Sequence, residues 1–375
     1  MARAIHLDSI RKEYRTAGSV HVAVDDLSLT IPEGSFTTLV GPSGCGKTTT
    51  LRMVAGLETP TSGEIAFGDE DVTDQAPQQR NCAMVFQSIA LYPHMTVRQN
   101  IGYGLKVQGV PKAERDPKID EAAETLQITE QLEKMPSELS GGQQQRVALG
   151  SAFVQDPDVL LLDEPMSDLD AKLKAELRVE VQRLHQELDA TVLYVTHDQT
   201  EAMTMSDQVI LLNEGRLEQF APPGELFDYP VSDYVARFIG TPSTNLLPAV
   251  VGERDGAYAL EGDGFAVSAP ADIFADRVGE SITVGVRPQY LSSEGGEYEL
   301  TVVAEVVEQL GTEFVVHGHT PDGTAVDVVS TEFGGVEHGD ELRVGFDPAD
   351  LFVFDAEGQT LCHGDDLTKS PPQSH

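Results

Sequence analysis

The 375-residue sequence contains no tryptophan, only three cysteines and no long apolar run. Cys45, Cys82 and Cys362 lie far apart and form no CxxC pair, which argues against a disulfide framework and a zinc site. The longest apolar runs, such as residues 159–162, have the length of a strand, whereas a bilayer-spanning helix needs roughly 20 apolar residues. Residues 1–6 lack the apolar core of a secretory signal. We therefore expect an intracellular protein without a membrane span.

Basic residues are scarce, since 25 lysines and arginines stand against 62 aspartates and glutamates and give a formal net charge of −37. Residues 238–375 contain 25 acidic and 5 basic residues, so the excess runs through the whole chain and is not a tail. Such a surface repels nucleic-acid phosphates, and we expect no nucleic-acid partner. The acidity resembles that of proteins from salt-loving organisms, where concentrated cations screen the repulsion. An acidic protein of an ordinary cell is the alternative.

The first part of the chain, residues 1–237, alternates apolar runs with helical stretches. This alternation is typical of an α/β core with a largely parallel sheet. Residues from about 88 to 155 have a mainly helical pattern and predict an inserted helical subdomain. Strands are predicted at residues 27–31, 36–40, 82–86, 159–163, 191–195 and 209–213.

The character of the sequence changes at about residue 238, after which short β-branched runs alternate with Gly, Asp and Pro. Residues 241–245 have the composition of a connector. Residues 238–364 predict a small β-barrel or sandwich, and residues 365–375 predict a disordered tail. Within this second domain, strands are predicted at residues 282–286, 300–307, 313–317, 325–329 and 351–354.

The strongest local signal is the octapeptide GPSGCGKT at residues 41–48, which fits the pattern G-x-x-x-x-G-K-[ST]. It follows the predicted strand 36–40 and precedes a helical stretch, which makes a chance glycine-rich turn the weaker interpretation. Its glycines let backbone N–H groups converge on phosphate oxygens at a helix N-terminus. Lys47 would reach the β- and γ-phosphates, and Thr48 would bind Mg²⁺. The predicted nucleotide-binding residues here are Gly41, Pro42, Ser43, Gly44, Cys45, Gly46, Lys47, Thr48 and Thr49.

A nucleotide site also needs a carboxylate for the metal ion and a residue that activates water. The segment Val-Leu-Leu-Leu-Asp-Glu at residues 159–164 supplies both at the end of a buried type of strand. We expect Asp163 to hold Mg²⁺ and Glu164 to polarise the attacking water. An apolar strand that ends in Asp-Glu is a weak signal alone and a strong one beside the phosphate loop.

A third motif, Leu-Ser-Gly-Gly-Gln at residues 139–143, opens a helical run and forms a second candidate anion cradle. One molecule does not need two phosphate cradles for one nucleotide, but two copies arranged head to tail do. In the order and spacing of these motifs, the sequence resembles the ATP-binding-cassette (ABC) family. The resemblance implies ATP and Mg²⁺ as ligands, with the phosphate loop of one subunit facing this signature motif of the partner, namely Leu139, Ser140, Gly141, Gly142 and Gln143.

The resemblance also implies roles for four isolated residues. Gln87 corresponds to the glutamine that senses Mg²⁺ and the attacking water, and His197 to the histidine that contacts the γ-phosphate. Asp170 lies in the loop, residues 167–170, that crosses the dimer interface. Tyr14 corresponds to the aromatic residue that stacks on adenine, with an ordinary surface tyrosine as the alternative. The predicted catalytic residues are thus Glu164, His197 and Gln87, and the predicted metal ligands are Thr48, Gln87 and Asp163.

Several short sequence segments indicate the branch of the family. Residues 51–58, 85–88, 90–94 and 194–205 are similar to the ATPases of maltose-type carbohydrate importers. The phrase Gly-Val-Arg-Pro at residues 285–288 resembles the oligonucleotide-fold-like (TOBE-type) regulatory domain of that branch. The resemblance implies an α/β P-loop NTPase core with a helical subdomain, followed by a small all-β regulatory domain.

The same resemblance implies an ATPase that drives the import of mono- or oligosaccharides at the cytoplasmic face of the membrane. Its implied partners are a second ATPase subunit (itself or a paralogue), two membrane-spanning permease subunits and, indirectly, an extracytoplasmic solute-binding protein. Other cargoes, such as polyamines, iron, sulfate or glycerol phosphate, remain open, as does a soluble ATPase without a transport role.

One departure from the family pattern follows the signature motif. Relatives usually continue Arg-Val-Ala-Leu-Ala-Arg-Ala, whereas this chain reads Arg-Val-Ala-Leu-Gly-Ser-Ala at residues 146–152. Gly150 is expected to weaken the helix by up to ~1 kcal/mol relative to alanine. The consequence is expected in the packing of the signature helix and not in the nucleotide chemistry.

The acidic composition predicts that the protein needs salt. Repulsion among its carboxylates grows as screening falls, so dilution from molar to millimolar KCl is expected to lower the thermal unfolding midpoint by about 5 °C or more. Circular dichroism measures the midpoint, and sucrose at equal osmolality is the control for osmotic effects. An unchanged midpoint contradicts the prediction.

Overall fold

The computed structural model describes residues 1–16 and 18–368. The chain divides into two compact units at Gly224 and Glu225, inside a short helix, whereas the sequence predicted a boundary after residue 237. Of the predicted tail 365–375, residues 369–375 lie outside the described part of the chain. Its first residues are ordered rather than disordered, because they belong to a short helix. No helix within the described ranges is both long enough and apolar enough to cross a bilayer.

The first unit contains two sheets. An antiparallel sheet has the order β2-β1-β4-β5, and a six-stranded sheet has the order β10-β9-β3-β8-β7-β6 and is parallel except for β10. The strands are β1 (Ile5–Thr16), β2 (Ser19–Ile31), β3 (Phe36–Val40), β4 (Ser62–Phe67), β5 (Glu70–Asp71), β6 (Cys82–Val85), β7 (Val159–Asp163), β8 (Thr191–Val195), β9 (Gln208–Asn213) and β10 (Arg216–Ala221). The helices are α1 (Lys47–Val54), α2 (Val97–Ile101), α3 (Tyr103–Val107), α4 (Lys112–Thr125), α5 (Gly141–Phe153), α6 (Ala171–Glu187) and α7 (Gln199–Met205).

Strands β3, β7 and β8 form the centre of the six-stranded sheet, and every residue in them is buried. Their runs of apolar and β-branched residues, which include the buried Thr37 and Thr38 of β3, are what a parallel sheet covered on both faces requires. Because parallel strands end at the same edge, the segments that follow β3, β7 and β8 lie beside one another. This edge carries the phosphate loop, Glu164 and His197.

The regular elements between β6 and β7 are helical, in the region where the sequence predicts a helical subdomain. Helix α5 packs closely on its neighbours at Gly150. A methyl group there would lie 3.0 Å from Leu126 Cδ1 and 3.6 Å from Ile101 Cγ1. The hydroxyl of Ser151 donates to the carbonyl of Ala148 at 2.7 Å, so its hydrogen-bond partner lies within the same helix. The departure after the signature motif therefore has a packing explanation in this chain.

The second unit contains two antiparallel sheets, with strand orders β13-β12-β11-β14-β19-β20 and β17-β16-β15-β18, around one apolar core. Its strands are β11 (Asn245–Arg254), β12 (Ala257–Gly262), β13 (Phe265–Ala269), β14 (Ser281–Val286), β15 (Tyr298–Leu310), β16 (Glu313–His319), β17 (Ala325–Ser330), β18 (Glu341–Phe346), β19 (Leu351–Phe354) and β20 (Thr360–His363). Its helices are α8 (Pro223–Asp228), which contains the division, α9 (Asp233–Phe238), α10 (Ala271–Phe274) and α11 (Gly364–Leu367).

The arginine of the Gly-Val-Arg-Pro motif at residues 285–288 makes a set of buried contacts. Arg287 is 1% exposed, and its guanidinium lies 3.6 Å from the ring centroid of Phe227. It donates to the carbonyls of Phe227 and Ile239, both at 2.5 Å, and to the hydroxyl of Thr244 at 3.1 Å. Burial lowers the pKa of Arg287 to about 10. One side chain thus joins three segments that precede the β domain to strand β14.

Candidate active site

The loop between β3 and α1 takes a shape that only glycine permits at two positions. Gly41 has φ 153°, and a Cβ there would lie 2.2 Å from the carbonyl oxygen of Leu212 in β9. Gly46 has φ 103°, and its Cβ would lie 2.4 Å from the carbonyl oxygen of Ala23 in β2. The loop therefore closes tightly against two neighbouring strands. Its backbone can approach a ligand without side chains in between.

Lys47 is 6% exposed although it is charged. Its Nζ donates to the carbonyl of Gly41 at 2.8 Å and to that of Pro42 at 3.0 Å. These bonds hold the ammonium on the inner side of the loop, where a phosphate would meet it. The neighbouring Cys45 is 3% exposed, and burial raises the pKa of its thiol. Cys45 is therefore a small buried loop residue and not a reactive thiolate.

The first residues of α1 meet the end of β7. Thr48 donates from its hydroxyl to Oδ1 of Asp163 at 3.2 Å. Asp163 is 4% exposed, and burial raises the pKa of its carboxyl group. A hydroxyl and a carboxylate that share one site are the hard oxygen ligands that Mg²⁺ prefers. The residues present therefore fit the predicted metal ion.

Glu164 follows directly and has a left-handed backbone with φ 45°. Its N–H donates to the carbonyl of Val195 at the end of β8, at 3.0 Å. The side chain meets two others, because Nε2 of Gln87 donates to its Oε2 at 3.3 Å and Nδ1 of His197 lies 3.0 Å from the same oxygen. Two of the predicted catalytic residues, Gln87 and His197, therefore both contact the third, Glu164, although the three come from separate segments.

A cavity of about 610 Å³ opens over the loop. The predicted Tyr14 lies on its wall, and so do two residues that the sequence analysis missed, His21 and Ala23. Tyr14 and His21 are directly paired across the β1–β2 ladder, so both rings lie on one face of this hairpin. The register of the hairpin would have been the signal, but β1 was not predicted. The cavity is also lined by Ser43, Gly44, Gly46, Lys47, Thr48, Thr49, Gln87, Glu164 and His197.

The signature motif does not line this cavity in the single chain. Ser140 caps α5, since its Oγ accepts from the N–H of Gln143 at 3.4 Å and the Gln143 side chain accepts from the N–H of Ser140 at 3.0 Å. A methyl group at Gly142 would lie 2.3 Å from Leu173 Cδ2, whereas one at Gly141 would meet nothing within 4 Å. The start of α5 is thus packed on one side and open on the other.

Asp170 is also absent from the cavity wall. Its Oδ1 accepts from the N–H of Leu173 at 3.0 Å and so caps helix α6. The structure therefore separates the predicted site residues into two groups. One group lines the cavity or, as Gly41, Pro42, Cys45 and Asp163 do, contacts Lys47 or Thr48 on its wall. The other group, Asp170 with residues 139–143, does not line it.

The strand–loop–helix cradle, the buried lysine and the Thr48–Asp163 pair define a phosphate-binding site of the P-loop class. The comparisons identify the family within that class. Residues 24–167 match the ABC transporter family, and residues 284–354 match the TOBE domain. The relatives below are similar along almost their whole length. The chain therefore belongs to the ABC transporter ATPase family, and the resemblance noted in the sequence is confirmed.

Three relatives illustrate the similarity. The lactose transport ATP-binding protein of Rhizobium radiobacter is 44% identical, over 95% of this chain and 99% of its own. The xylose/arabinose import ATP-binding protein of Haloferax volcanii is 46% identical, over 91% and 92%. The sn-glycerol-3-phosphate import ATP-binding protein of a Jannaschia species is 45% identical, over 94% and 98%.

Among solved structures, the dimeric ABC transporter cassette MJ0796 is 30% identical with a TM-score of 0.54, over 58% of this chain and 98% of its own. The same cassette has been solved as a dimer in a post-hydrolysis state with ADP and phosphate, at 29% identity and the same TM-score.

The tight contact at Gly46 generates a prediction. The variant Gly46→Ala is expected to weaken ATP binding more than about tenfold, because the added methyl group collides with strand β2 and the backbone is strained. The matched variant Gly44→Ala has the same kind of backbone, φ 83°, but its methyl group would meet nothing within 4 Å. It is expected to lose less than about fivefold. Titration with a fluorescent ATP analogue measures both affinities, and equal losses contradict the steric argument.

Proposed function

We propose that the protein is the ATP-hydrolysing subunit of a sugar importer. The proposal of ATP hydrolysis is supported by one contact above all. Gln87 and His197 both meet one carboxylate oxygen of Glu164 at the wall of the cavity above the phosphate loop. A carboxylate placed beside a phosphate cradle is what the activation of an attacking water requires.

The residues of the loop have separate tasks in this proposal. The backbone N–H groups and Lys47 hold the phosphates and offset the charge that develops on the transferred phosphoryl group. Thr48, Asp163 and Gln87 would hold Mg²⁺, which supplies further positive charge at the same phosphates. Glu164 accepts a proton from the attacking water, and His197 steadies Glu164 and the terminal phosphate. Tyr14 would stack on the adenine.

A second subunit completes each site in this proposal. The start of α5 is open at Gly141, and none of residues 139–143 lines the cavity of its own chain, which supports a role as an anion cradle for a partner's nucleotide. Two chains arranged head to tail would bring Leu139–Gln143 of one over the phosphates bound by the other, with Asp170 at the interface. The dimeric structures of the MJ0796 cassette support the pairing of two chains. The partner is a second copy of this chain or a paralogue.

A docking surface for the membrane partners follows strand β6. Phe86 is 40% exposed and Tyr92 is 41% exposed, so two aromatic side chains of this segment are available for contact with a partner. The buried Asn100 holds this segment, because its side chain donates to the carbonyls of Tyr92 and Met95 at 3.2 and 3.1 Å. We propose that two permease subunits dock here at the cytoplasmic face of the membrane and receive solute from an extracytoplasmic binding protein.

The cargo is proposed from the printed names of the relatives. Lactose and xylose/arabinose, in proteins 44% and 46% identical, favour a mono- or oligosaccharide. A second candidate is sn-glycerol 3-phosphate, because several relatives of similar identity carry that name. Both cargoes are polyhydroxylated, and the ATPase subunit itself does not contact either of them in this proposal.

The variant Glu164→Gln tests the catalytic assignment. It is expected to lose ATP hydrolysis at least about 100-fold, because the amide cannot accept the proton from water, while the affinity for ATP changes less than about twofold. ATP is also expected to shift this variant to a dimer in size-exclusion chromatography with light scattering. The matched control is Glu64→Gln, which removes the same charge from an exposed position on β4. Hydrolysis at the wild-type rate by Glu164→Gln contradicts the assignment.

Uptake in a strain that lacks this chain tests the cargo. The panel contains one disaccharide, one pentose and glycerol 3-phosphate, each radiolabelled. We expect the strain to lose uptake of a sugar. The wild-type gene is expected to restore this uptake, and Glu164→Gln is not. Loss confined to glycerol 3-phosphate favours the second candidate. Unchanged uptake of all three compounds contradicts both.

A further inference from the structure

A hydrogen-bonded network joins the end of strand β8 to helix α7 around His197. The hydroxyl of Thr196 donates to Oε2 of Glu201 at 2.6 Å and accepts from the N–H of Asp198 at 3.0 Å. This second bond spans His197, because its two partners are the residues on either side. The backbone on which the imidazole is mounted is therefore fixed at both neighbours.

Asp198 closes the network into a ring. Its Oδ1 accepts from the N–H of Thr200 at 2.9 Å and from that of Glu201 at 3.3 Å, so it caps α7. Bonds thus run from Glu201 through Thr196 and Asp198 back to the backbone of Glu201. None of these bonds uses the side chain of His197.

Glu201 lies at the centre of this ring and is 2% exposed. The phenol of Tyr194, which is 0% exposed, donates to the same Oε2 at 2.5 Å. Burial, followed by the nearby Glu201 carboxylate, raises the pKa of the Tyr194 phenol well above its usual value. A buried carboxylate costs free energy, and two hydroxyl donors offset this cost at one oxygen only. An apolar residue would fill the space without that cost.

The side chain of His197, by contrast, is 54% exposed and reaches Glu164 across the cavity wall. Few surrounding atoms confine an imidazole of such exposure, so its direction depends on the backbone that carries it. That backbone is the part which the Glu201 ring holds. The contact of His197 with Glu164, at 3.0 Å, depends on this direction.

We propose that Glu201 is a positioning residue for ATP hydrolysis, which acts through Thr196 to hold the backbone of His197 so that the imidazole meets Glu164. This inference rests on the role proposed for His197. Glu201 touches neither the phosphate loop nor the cavity. Its loss is therefore expected to slow the reaction and to leave nucleotide binding unchanged.

A pair of variants at Thr196 is the first test. Thr196→Val keeps the shape but removes the hydroxyl, and it is expected to lower kcat about tenfold, the equivalent of one hydrogen bond, with an unchanged KM. Thr196→Ser keeps the hydroxyl and is expected to retain most of the rate. A purely structural role of the ring predicts instead that Thr196→Val lowers the thermal midpoint while the rate per folded molecule stays at the wild-type value. That outcome overturns the inference.

A double-mutant cycle is the second test and separates this inference from the proposed function. Glu201→Gln is expected to reduce the single-turnover rate about tenfold in the wild type but less than about twofold in a His197→Ala background, because both changes act on the same imidazole. If Glu201→Gln reduces the rate by the same factor in both backgrounds, the positioning role of Glu201 is overturned, while the proposed function stands. A His197→Ala variant that hydrolyses ATP at the wild-type rate overturns the role of His197 itself, and with it the proposed catalytic group.

Discussion

The parallel alignment of β3, β7 and β8 is the constraint on which the site depends. The three strands end at one edge of the sheet, and each is followed there by one part of the proposed site: the phosphate loop, the Asp163–Glu164 pair and His197. A hydrogen bond from the N–H of Glu164 to the carbonyl of Val195, at 3.0 Å, locks two of these strand ends together. Because the strands are fully buried, the edge is rigid and side chains that are distant in sequence keep fixed distances.

Two of the helix ends in the first unit have a double task. Ser140 and Asp170 each cap the helix that follows them, and both belong to the group proposed to act at a partner's nucleotide. The uncharged cap of Ser140 leaves the other backbone N–H groups at the start of α5 for an anion, whereas Asp170 places its own carboxylate at the start of α6. In a chain with a net charge of −37, such backbone donors attract phosphate without adding basic side chains. The helix start of α5 is therefore compatible with the two-subunit nucleotide site that the family resemblance implies.

The sequence predicted the central strands closely because their burial leaves runs of apolar and β-branched residues, and β3, β7 and β8 begin and end where these runs do. It did not predict β1, whose residues are mixed in burial and whose pairing with β2 shifts register, or β11, which starts inside the predicted connector. His21 and Ala23 were missed because their position on the cavity wall depends on the pairing of β2 with the unpredicted β1. The phosphate-loop residues were predicted from their motif, and Tyr14, Gln87 and His197 from the family resemblance. The role of Glu201 depends on hydrogen bonds that no motif reveals.

The β1–β2 hairpin contributes to the cavity wall and also touches the phosphate loop. It carries Tyr14 and His21 on the wall, and the carbonyl oxygen of its Ala23 lies where any side chain at Gly46 would have to go. One continuous strand, β2, therefore joins the wall that carries the two rings to the phosphate loop. If Tyr14 stacks on a base as proposed, replacement of either ring would alter the base preference and leave the backbone in place, whereas a shift in strand register would deform the loop. A change of nucleotide specificity would then have to come from side-chain replacements.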